Sequence, residues 1–393
     1  MELRPSEVEN LVITSTFWLG KRVLVTGHTG FKGSWLALML SRLNARATGY
    51  ALEPPTSPNL FTLAQVGEHI DDIRGDVTDL TTLRDAMSAV APEIVIHMAA
   101  QPLVRAAYGD PVGTYNTNVM GTVNVLEAAR SVKSVRLVLI ITTDKCYENR
   151  DWVWGYRETD ALGGHDPYSN SKACAELVTG AYRDSFFNDG EGVKILSARA
   201  GNVIGGGDFA VDRILPDAVR AFICGRELDV RNPGAVRPWQ HVLEPLVGYL
   251  LLIEKAMTAP AALAGEIDGG WNFGPGLGSE QSVEALLERF IAAWGHAARW
   301  SKDAGAHPHE ARLLRLDTSK AREILGWSPL LDFEQTTAWT AHWYRAFADR
   351  RDMLETTLKQ VDRYLGQRVR LVSPFTSDTA EKEHHAERLV RYS

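Results

Sequence analysis

A tyrosine and a lysine four residues apart are the first sign of chemistry in this chain of 393 residues. Tyr168 and Lys172 would share one face of a helix, about one turn from each other. Asp166 suits an N-cap and Pro167 the first helical position, so the sequence predicts a helix over 167–186 where that face is needed. Because a nearby ammonium favours a phenolate, we expect a depressed pKa for Tyr168 and a role as base for a substrate hydroxyl.

The tetrapeptide Thr142-Thr143-Asp144-Lys145 follows a predicted buried strand upstream of this helix. Parallel sheets of this kind bind ligands at the carboxyl ends of their strands. The Thr143 hydroxyl could share the proton of a substrate oxygen with Tyr168, and Asp144 and Lys145 add an acid–base pair beside it. Taken alone, the tetrapeptide is also compatible with an ordinary surface ion pair between Asp144 and Lys145.

The segment GHTGFKG, residues 27–33, lies between a β-branched strand and an apolar helix and predicts a dinucleotide site. The first glycine permits a tight turn, the second lets the backbone approach a pyrophosphate, and the third allows helix–strand packing. The helix N-terminus would then face the phosphates with free N–H groups. The candidate cofactor contacts are Gly27, Gly30, Phe31, Lys32, Gly33, Asp76, Val77, Ala99 and Ala100, together with Tyr168 and Lys172.

The sequence favours NAD over NADP as this cofactor. Glu53 comes late after the second strand and is followed by two prolines, so it matches the usual ribose-binding acid only poorly, but no arginine that would invite a 2′-phosphate replaces it there. Lys32 is a possible counter-argument. Asp76 either receives the adenine amino group or caps the next helix, and the small Ala99 and Ala100 suit close approach of the nicotinamide ribose.

Alternating strands and helices predict an α/β fold with a doubly wound parallel sheet of the Rossmann type and a smaller C-terminal substrate-binding lobe. The predicted strands are 22–26, 47–51, 70–74, 94–98, 137–142 and 193–198, and the predicted helices are 34–43, 80–90, 119–129, 167–186, 215–224, 243–257 and 282–294. We expect an N-terminal extension over 1–17, an NAD-binding domain over 18–203 with 236–266 returning to it, the lobe over 204–235 and 267–350, and a helix or tail over 351–393.

Composition narrows the class of protein. A net charge of −7 without a long basic run disfavours nucleic-acid binding. The sequence contains no long apolar run and no apolar leader, so we expect neither a membrane span nor a signal peptide, and we expect a cytoplasmic protein.

The three cysteines are scattered along the chain, so we expect no disulfide framework. Cys146 and Cys174 flank the chemical segments but fit buried packing better than a nucleophile. His165, His307 and His309 lack companions at ligand spacing, so no metal is expected.

Seven segments together resemble the CDP-glucose 4,6-dehydratases, which are extended short-chain dehydrogenase/reductase proteins. They are GHTGFKG, HMAAQP, TTDKCYEN, WGYRE, LGGHDPYSNSK, RAGNVIGGGD and RPWQHVLEPL, and the resemblance covers about 18–350. Related sugar-nucleotide dehydratases carry glutamate where this chain has Lys145, and that difference favours cytidine over thymidine or guanosine sugars.

The resemblance implies the following chemistry. Tyr168, helped by Thr143, takes the proton of the glucose C4 hydroxyl while NAD⁺ accepts the C4 hydride, and Lys172 binds the nicotinamide ribose. Water then leaves across C5–C6 with Asp144 as the acid, and the hydride returns to C6. Lys145 is either the C5 base, if it is desolvated, or an electrostatic stabiliser of the enolate.

The resemblance also implies CDP-glucose as substrate and a homodimer built on helices that include 167–186. Asn202 and Arg237 would contact the diphosphate, Arg213 and Arg231 are lesser candidates, and His241 is included although a supporting or core role fits it better. An epimerase needs the same tyrosine, lysine and glycine loop but no acid–base pair, so Asp144-Lys145 argues against it. A dehydratase for another nucleotide sugar stays open, and an NAD-sensing protein without turnover would not need Thr143, Tyr168 and Lys172.

Overall fold

A computed structural model describes the protein over 13–187, 192–260, 263–276, 278–295, 298–303 and 314–370. His307, His309 and most of the predicted terminal extensions lie outside these residues. Among the helices described, none is long and apolar enough to cross a membrane.

A parallel sheet of seven strands organises the main domain. In chain order its strands are β1 (Arg22–Thr26), β2 (Arg46–Ala51), β3 (Asp71–Arg74), β4 (Ile94–His97), β5 (Leu137–Ile141), β6 (Lys194–Arg199) and β7 (Gly269–Asn272). Their order across the sheet is β7-β6-β5-β4-β1-β2-β3, and each neighbouring pair is parallel. The prediction of a doubly wound, Rossmann-type α/β sheet is therefore confirmed.

The six predicted strands are present with ends shifted by a residue at most, but β7 was missed. Its four residues, Gly-Gly-Trp-Asn, lack the β-branched run that marks a buried strand. It pairs with β6 from Gly269↔Leu196 to Asn272↔Arg199. The seventh strand of the sheet thus comes from the range that the sequence assigned to the smaller lobe.

The longer helices are α1 (Phe31–Arg42), α2 (Leu80–Val90), α3 (Gly121–Ser131), α4 (Pro167–Phe186), α5 (Ile214–Ile223), α6 (Leu243–Thr258), α7 (Val283–Trp294), α8 (Phe333–Ala348) and α9 (Met353–Leu365). Shorter helical segments are Ser15–Trp18, Leu60–Leu63, Val66–Glu68, Val104–Gly109, Pro111–Tyr115, Asp144–Cys146, Ala264–Ile267 and Ser319–Leu325. Two-stranded pairs join Ile13–Thr14 to Val369–Arg370, Val203–Ile204 to Gln240–His241, Leu228–Val230 to Trp300–Lys302 and Val236–Pro238 to Glu280–Ser282.

Two helices differ from their predicted starts by more than one residue. The helix α1 begins at Phe31 rather than at 34, because Gly30 has the extended backbone of an N-cap and the helix follows at once. Lys32 and Gly33 therefore lie in its first turn. The predicted helix 119–129 is divided into a π-helical segment, Asn116–Met120, and α3.

The loop Gly205-Gly206-Gly207-Asp208 joins the sheet to the smaller lobe through buried tryptophans. Trp35 of α1 donates its indole N–H to the Gly206 carbonyl at 2.9 Å. A side chain at Gly206 would lie 2.0 Å from the Trp343 ring of α8, so only glycine allows this approach. The loop, which ends at Asp208, is thereby fixed between α1 and α8.

Candidate active site

The glycine loop has the close backbone approaches that a dinucleotide site requires. Gly27 has φ +77°, and a Cβ there would lie 2.6 Å from the Ala99 nitrogen. A Cβ at Gly33 would lie 2.2 Å from the Gly27 carbonyl oxygen. No side chain caps α1 at Gly30, so the first-turn N–H groups face the loop without a side-chain acceptor. These features fit a bound diphosphate.

The adenosine side of this cleft differs from the prediction in two details. Asp76 accepts a hydrogen bond from the Thr78 N–H at 2.8 Å, whereas Asp79 caps α2, so the capping alternative for Asp76 is wrong. Its adenine role stays a prediction. Arg74 of β3 donates to the Leu52 carbonyl at 3.1 Å and lies 3.5 Å from the Glu53 carboxylate. An arginine therefore does reach the end of β2, which the sequence did not reveal because it comes from the neighbouring strand.

The remaining cofactor candidates line the same cleft in different ways. The side chain of Val77 is buried in the core, so only its backbone is available to a ligand. Ala99 and Ala100 follow β4 and are half-buried, and the Thr26 hydroxyl accepts the Ala99 N–H at 3.2 Å. Phe31 is half-buried at the start of α1.

The helix α4 carries Tyr168 and Lys172 as predicted, with the Asp166 side chain accepting from the Ser169 N–H at 3.0 Å and Pro167 in the first turn. Burial raises the pKa of Tyr168 to about 12, although a hydrogen bond with Thr143 and the charge of Arg213 oppose this. The expectation of a depressed Tyr168 pKa is therefore wrong for the ligand-free site. Burial outweighs nearby positive charge there.

The lysines of the site are driven toward their neutral form. Lys172 donates to the Ile141 carbonyl at 3.1 Å, and burial lowers its pKa to about 8 against the opposing charge of Glu176. Lys32 donates to the Tyr249 hydroxyl at 3.0 Å. Burial, followed by the charges of Lys172 and Arg213, lowers the Lys32 pKa to about 7. The two lysines and Arg213 thus form one electropositive cluster, which suits an anionic ligand.

Asp144 is held in a buried pocket at the end of β5. It is 4% exposed, so the alternative of a surface ion pair with Lys145 is wrong. The Thr143 hydroxyl donates to its Oδ1 at 2.9 Å, and the Asn202 amide donates to its Oδ2 at 3.1 Å. Burial raises the pKa of Asp144, against the effects of Lys145, Thr143 and Arg237. A carboxyl group in this state is suited to donate a proton.

Gly201, which no local pattern in the sequence marks as a site residue, makes room for that carboxyl group. A Cβ at Gly201 would lie 2.0 Å from Asp144 Cγ, so a larger residue would displace the acid. Asn202 beside it has φ +51°, a left-handed conformation that asparagine tolerates better than most residues. Lys145, one residue after the acid, is exposed.

The other basic candidates lie at different depths around this edge. Arg213 donates to Asp208 at 2.9 Å, and its charge acts on both Tyr168 and Lys32. Arg237 donates to the Val236 carbonyl at 2.8 Å, and its charge acts on Asp144. Arg231 lies 3.7 Å from Asp212, in the smaller lobe. The structure therefore brings Arg213 and Arg237 to the reaction centre.

His241 is a core residue, and its inclusion among the substrate contacts is wrong. It is fully buried, with its ring 6.0 Å from that of Trp35 and 5.8 Å from that of Trp339. Burial lowers its pKa to about 3. The sequence had favoured a supporting or core role, and the core role is confirmed.

Neither flanking cysteine has the surroundings of a reactive thiolate. Cys146 is fully buried, and burial raises its pKa well above the ordinary value. Cys174 is half-buried, with its thiol 3.6 Å from the side-chain Oδ1 of Asn170. Within the described residues, no group of three or more potential ligands could hold a metal ion.

A family model described as GDP-mannose 4,6 dehydratase matches residues 24–340, which is most of the chain and includes the whole site above. The chain belongs to this dehydratase family. The resemblance to sugar-nucleotide 4,6-dehydratases in the extended short-chain dehydrogenase/reductase group is confirmed.

Other members of the dehydratase family are similar over nearly the same span. A CDP-glucose 4,6-dehydratase of Salmonella typhimurium is 47% identical over 363 residues, 91% of this chain and 100% of that protein. A dTDP-glucose 4,6-dehydratase of Xanthomonas campestris is 28% identical over 82% of this chain and 92% of that protein. A crystal structure of dTDP-glucose 4,6-dehydratase from Bacillus anthracis with NAD superposes with a TM-score of 0.68 at 22% identity, covering 85% of this chain and 100% of that one.

Because His241 is buried, we expect the free energy of unfolding of the protein to fall in mild acid. Its pKa is depressed in the folded state, so the unfolded chain takes up its proton first as the pH falls below about 6.5. We expect this histidine to lower the free energy of unfolding by about 2 kcal/mol between pH 7 and pH 5. Urea unfolding of wild type and His241→Phe at both pH values measures it, since phenylalanine keeps a ring but has no proton site.

The exposed His342 provides the control, and His342→Gln should keep the wild-type pH dependence. An equal loss of stability in His241→Phe and wild type would contradict the assignment.

Proposed function

We propose that this protein converts CDP-glucose into CDP-4-keto-6-deoxyglucose and water, with NAD as a tightly bound cofactor. One observation carries the proposal. The buried acid Asp144, with a raised pKa, lies beside Thr143 at the same sheet edge as Tyr168 and Lys172. The similarity to the Salmonella typhimurium CDP-glucose 4,6-dehydratase supports the substrate.

The chain's own residues fit the cofactor. Gly27, Gly30 and Gly33 allow the backbone approach, the uncapped start of α1 would face the diphosphate, and Lys172 would hold the nicotinamide ribose. Glu53 near the end of β2 favours a free ribose hydroxyl and hence NAD, and it also partly neutralises Arg74. When bound, NAD⁺ supplies the oxidation at C4 and the later reduction at C6.

Oxidation at C4 needs a group that removes the hydroxyl proton. Tyr168 takes this role, with Thr143 sharing the hydrogen bond. Because burial raises the Tyr168 pKa to about 12, positive charge must lower it before the phenol can act at neutral pH. The Arg213 charge already acts on Tyr168 at that pKa, so a protonated Lys172, one turn along the same helix, is the cation placed to lower it further.

Elimination across C5–C6 needs an acid for the C6 oxygen and a base or stabiliser at C5. Asp144 protonates the leaving hydroxyl, as its raised pKa allows. Lys145 is exposed without substrate, so the bound sugar would have to cover it before it could act as a base. As an ammonium it would instead stabilise the enolate.

Arg237 and Asn202 hold the nucleotide diphosphate. Arg213, near Tyr168 and Lys32, and Arg231, near Asp212, contribute further positive charge. Guanidinium groups suit paired contacts to phosphate oxygens. Asn202 donates to Asp144 without substrate, so its contact to a diphosphate would use the other amide hydrogen or exchange this bond.

An epimerase is the alternative among enzymes, and the placement of Asp144 argues against it. Epimerisation at C4 needs only oxidation and reduction of one carbon, for which a buried acid beside Tyr168 has no use. A dehydratase for another nucleotide sugar differs only in base recognition. A binding protein without turnover would not need the acid.

We also propose a cytoplasmic homodimer. Five large apolar side chains are exposed on α4 and the segments packed against it, where a second copy would cover them. They are Tyr108, Val112, Met120, Leu177 and Phe186. Isolated exposed apolar residues are common, but a group on adjoining helices favours an interface.

Incubation with CDP-, dTDP-, GDP- and UDP-glucose tests the reaction and its nucleotide. We expect the alkaline absorbance of a 4-keto sugar with CDP-glucose, and solvent deuterium at C5 of the product. Comparable rates with another nucleotide would change the substrate. Epimerised sugar without water loss would establish the alternative enzyme, and no product with any of the four would contradict the proposal.

The role of Lys145 is tested by Lys145→Gln. We expect overall turnover to fall by about 100-fold or more, since loss of a base or electrostatic stabiliser typically costs that much. Oxidation at C4 should persist, so the near-ultraviolet absorbance of reduced nicotinamide should accumulate in a single turnover. Lys359→Gln, at an exposed helix position, is the control. A rate near wild type would remove both roles from Lys145.

The space at Gly201 gives a test of Asp144 that leaves the acid in place. In Gly201→Ala the methyl group would lie 2.0 Å from the Asp144 Cγ and displace the carboxyl group. We expect turnover to fall by about 100-fold, with a loss of stability of about 1–3 kcal/mol from the overpacking. Gly234→Ala adds the same methyl group to open space and should leave turnover unchanged. Full activity of Gly201→Ala would show that the position of Asp144 is unimportant.

A further inference from the structure

A buried carboxylate lies directly beneath the two halves of the active site. Glu176 follows Lys172 by four residues and Tyr168 by eight, so all three share one face of α4. It is 6% exposed. Glu176 is not among the residues predicted from the sequence to belong to the site, although it stands four residues after Lys172.

Glu176 binds the strand that carries the other half of the site. The Thr142 hydroxyl, at the end of β5, donates to Glu176 Oε1. The Ser197 hydroxyl of β6 donates to Oε2 at 2.6 Å, and the Arg199 guanidinium donates to the same oxygen at 2.9 Å. Thr142 immediately precedes Thr143 and Asp144, so this carboxylate ties the helix half of the site to the strand half.

The network continues through Arg199 to the far edge of the sheet. Arg199 donates to the Tyr147 hydroxyl at 2.5 Å and to the Glu158 carbonyl at 3.1 Å. Tyr147 donates to Asn272 of β7 at 2.8 Å. Glu176 is therefore the point at which this buried network meets the catalytic helix.

Glu176 is also the anion that faces Lys172. Burial alone would raise the Glu176 pKa, but Arg199, Ser197 and Thr142 lower it below its usual range, so the group is charged. Three other titratable groups interact electrostatically with Lys172, namely Lys32 on α1, His97 on β4 and Cys146 after β5. None of them carries a negative charge that would keep the Lys172 ammonium protonated, because they are a lysine, a neutral histidine and a buried thiol.

We propose that Glu176 is a positioning residue of the dehydratase. Through Thr142 and Arg199 it fixes Thr143 and Asp144 relative to Tyr168, and its charge keeps Lys172 cationic at the cofactor ribose. This inference rests on the proposed function, because it assigns a role within that same site.

The test is Glu176→Gln, which keeps the shape and one acceptor but removes the charge. We expect kcat to fall by about 100-fold, as small misplacements of reacting groups commonly cause. The alkaline limb of the kcat profile, where Lys172 loses its proton, should move to lower pH by about one pH unit. NAD⁺ affinity, measured by quenching of tryptophan fluorescence across pH, should show the same shift.

Two controls separate this role from a structural one. Glu244→Gln replaces another fully buried acidic residue, which accepts from the Leu330 and Leu331 N–H groups and lies on α6 rather than α4. The kcat profile of this variant should keep the wild-type alkaline limb. In Lys172→Arg the loss of NAD⁺ affinity at alkaline pH should disappear, because arginine keeps its proton there. That result would assign the alkaline limb to Lys172. A uniform fall in kcat without a shifted limb in Glu176→Gln would overturn the proposal.

Loss of Glu176 leaves Arg199 buried and unpaired, which can unfold a protein. Glu176→Gln/Arg199→Gln removes both charges, and the same shift is expected in it. Unshifted NAD⁺ binding in a folded double variant would equally overturn the proposal. If wild type bound NAD⁺ but converted no sugar nucleotide, the proposed reaction would fail, while the NAD⁺ titrations would still decide the role of Glu176.

Discussion

The active site depends on holding α4 and the end of β5 together in a fixed arrangement. Two charges buried at that junction, Glu176 and Arg199, do this at a cost in solvation, because an ion loses its hydration in the protein interior. Such a pair is tolerated when most of its remaining donors and acceptors are satisfied. Here the carboxylate receives bonds from Thr142, Ser197 and Arg199, and the guanidinium also bonds Tyr147, while its buried Nε has no acceptor. A hydrophobic pair could hold the same elements together, but it could not place a negative charge one turn from Lys172.

Burial acts on four titratable groups of this edge in the same sense, toward the neutral form. It raises the pKa values of Tyr168 and Asp144 and lowers those of Lys172 and Lys32. For Asp144 this is useful, because a protonated carboxyl is what an elimination needs from an acid. For Tyr168 it is opposed to the chemistry, since the phenol must lose a proton. An anionic ligand would favour the protonated lysines, and protonated lysines would in turn favour the phenolate. Ligand binding and acid–base competence are therefore coupled through charge.

The sequence predicted those parts of the molecule that follow from local pattern. The β-branched strands, the Asp166–Pro167 start of α4 and the glycine loop are each written in a few adjacent residues, and the structure contains them. Predictions from local sequence patterns failed where two segments that are distant in the chain meet in the fold. β7 has no strand pattern of its own and exists because β6 offers it an edge. Arg74 reaches the end of β2 from the next strand, and Gly201 is required only because Asp144 lies against it. The Tyr168 pKa was predicted in the wrong direction because spacing reveals a neighbouring charge but not the depth of burial.

Asp144 and Lys145 illustrate why adjacent residues need not share an environment. They lie in a single 3₁₀ turn, Asp144–Cys146, in which each residue is rotated by about 120° from the one before. If the acid points into the protein against Gly201, the following side chain must point away from it, and Lys145 is accordingly exposed. Cys146, the next residue, turns back into the core. The Asp144 carboxyl is therefore held by contacts within the fold, whereas the Lys145 side chain is not enclosed by it. A difference between related dehydratases at this second position would change an exposed side chain and leave the contacts of the acid in place.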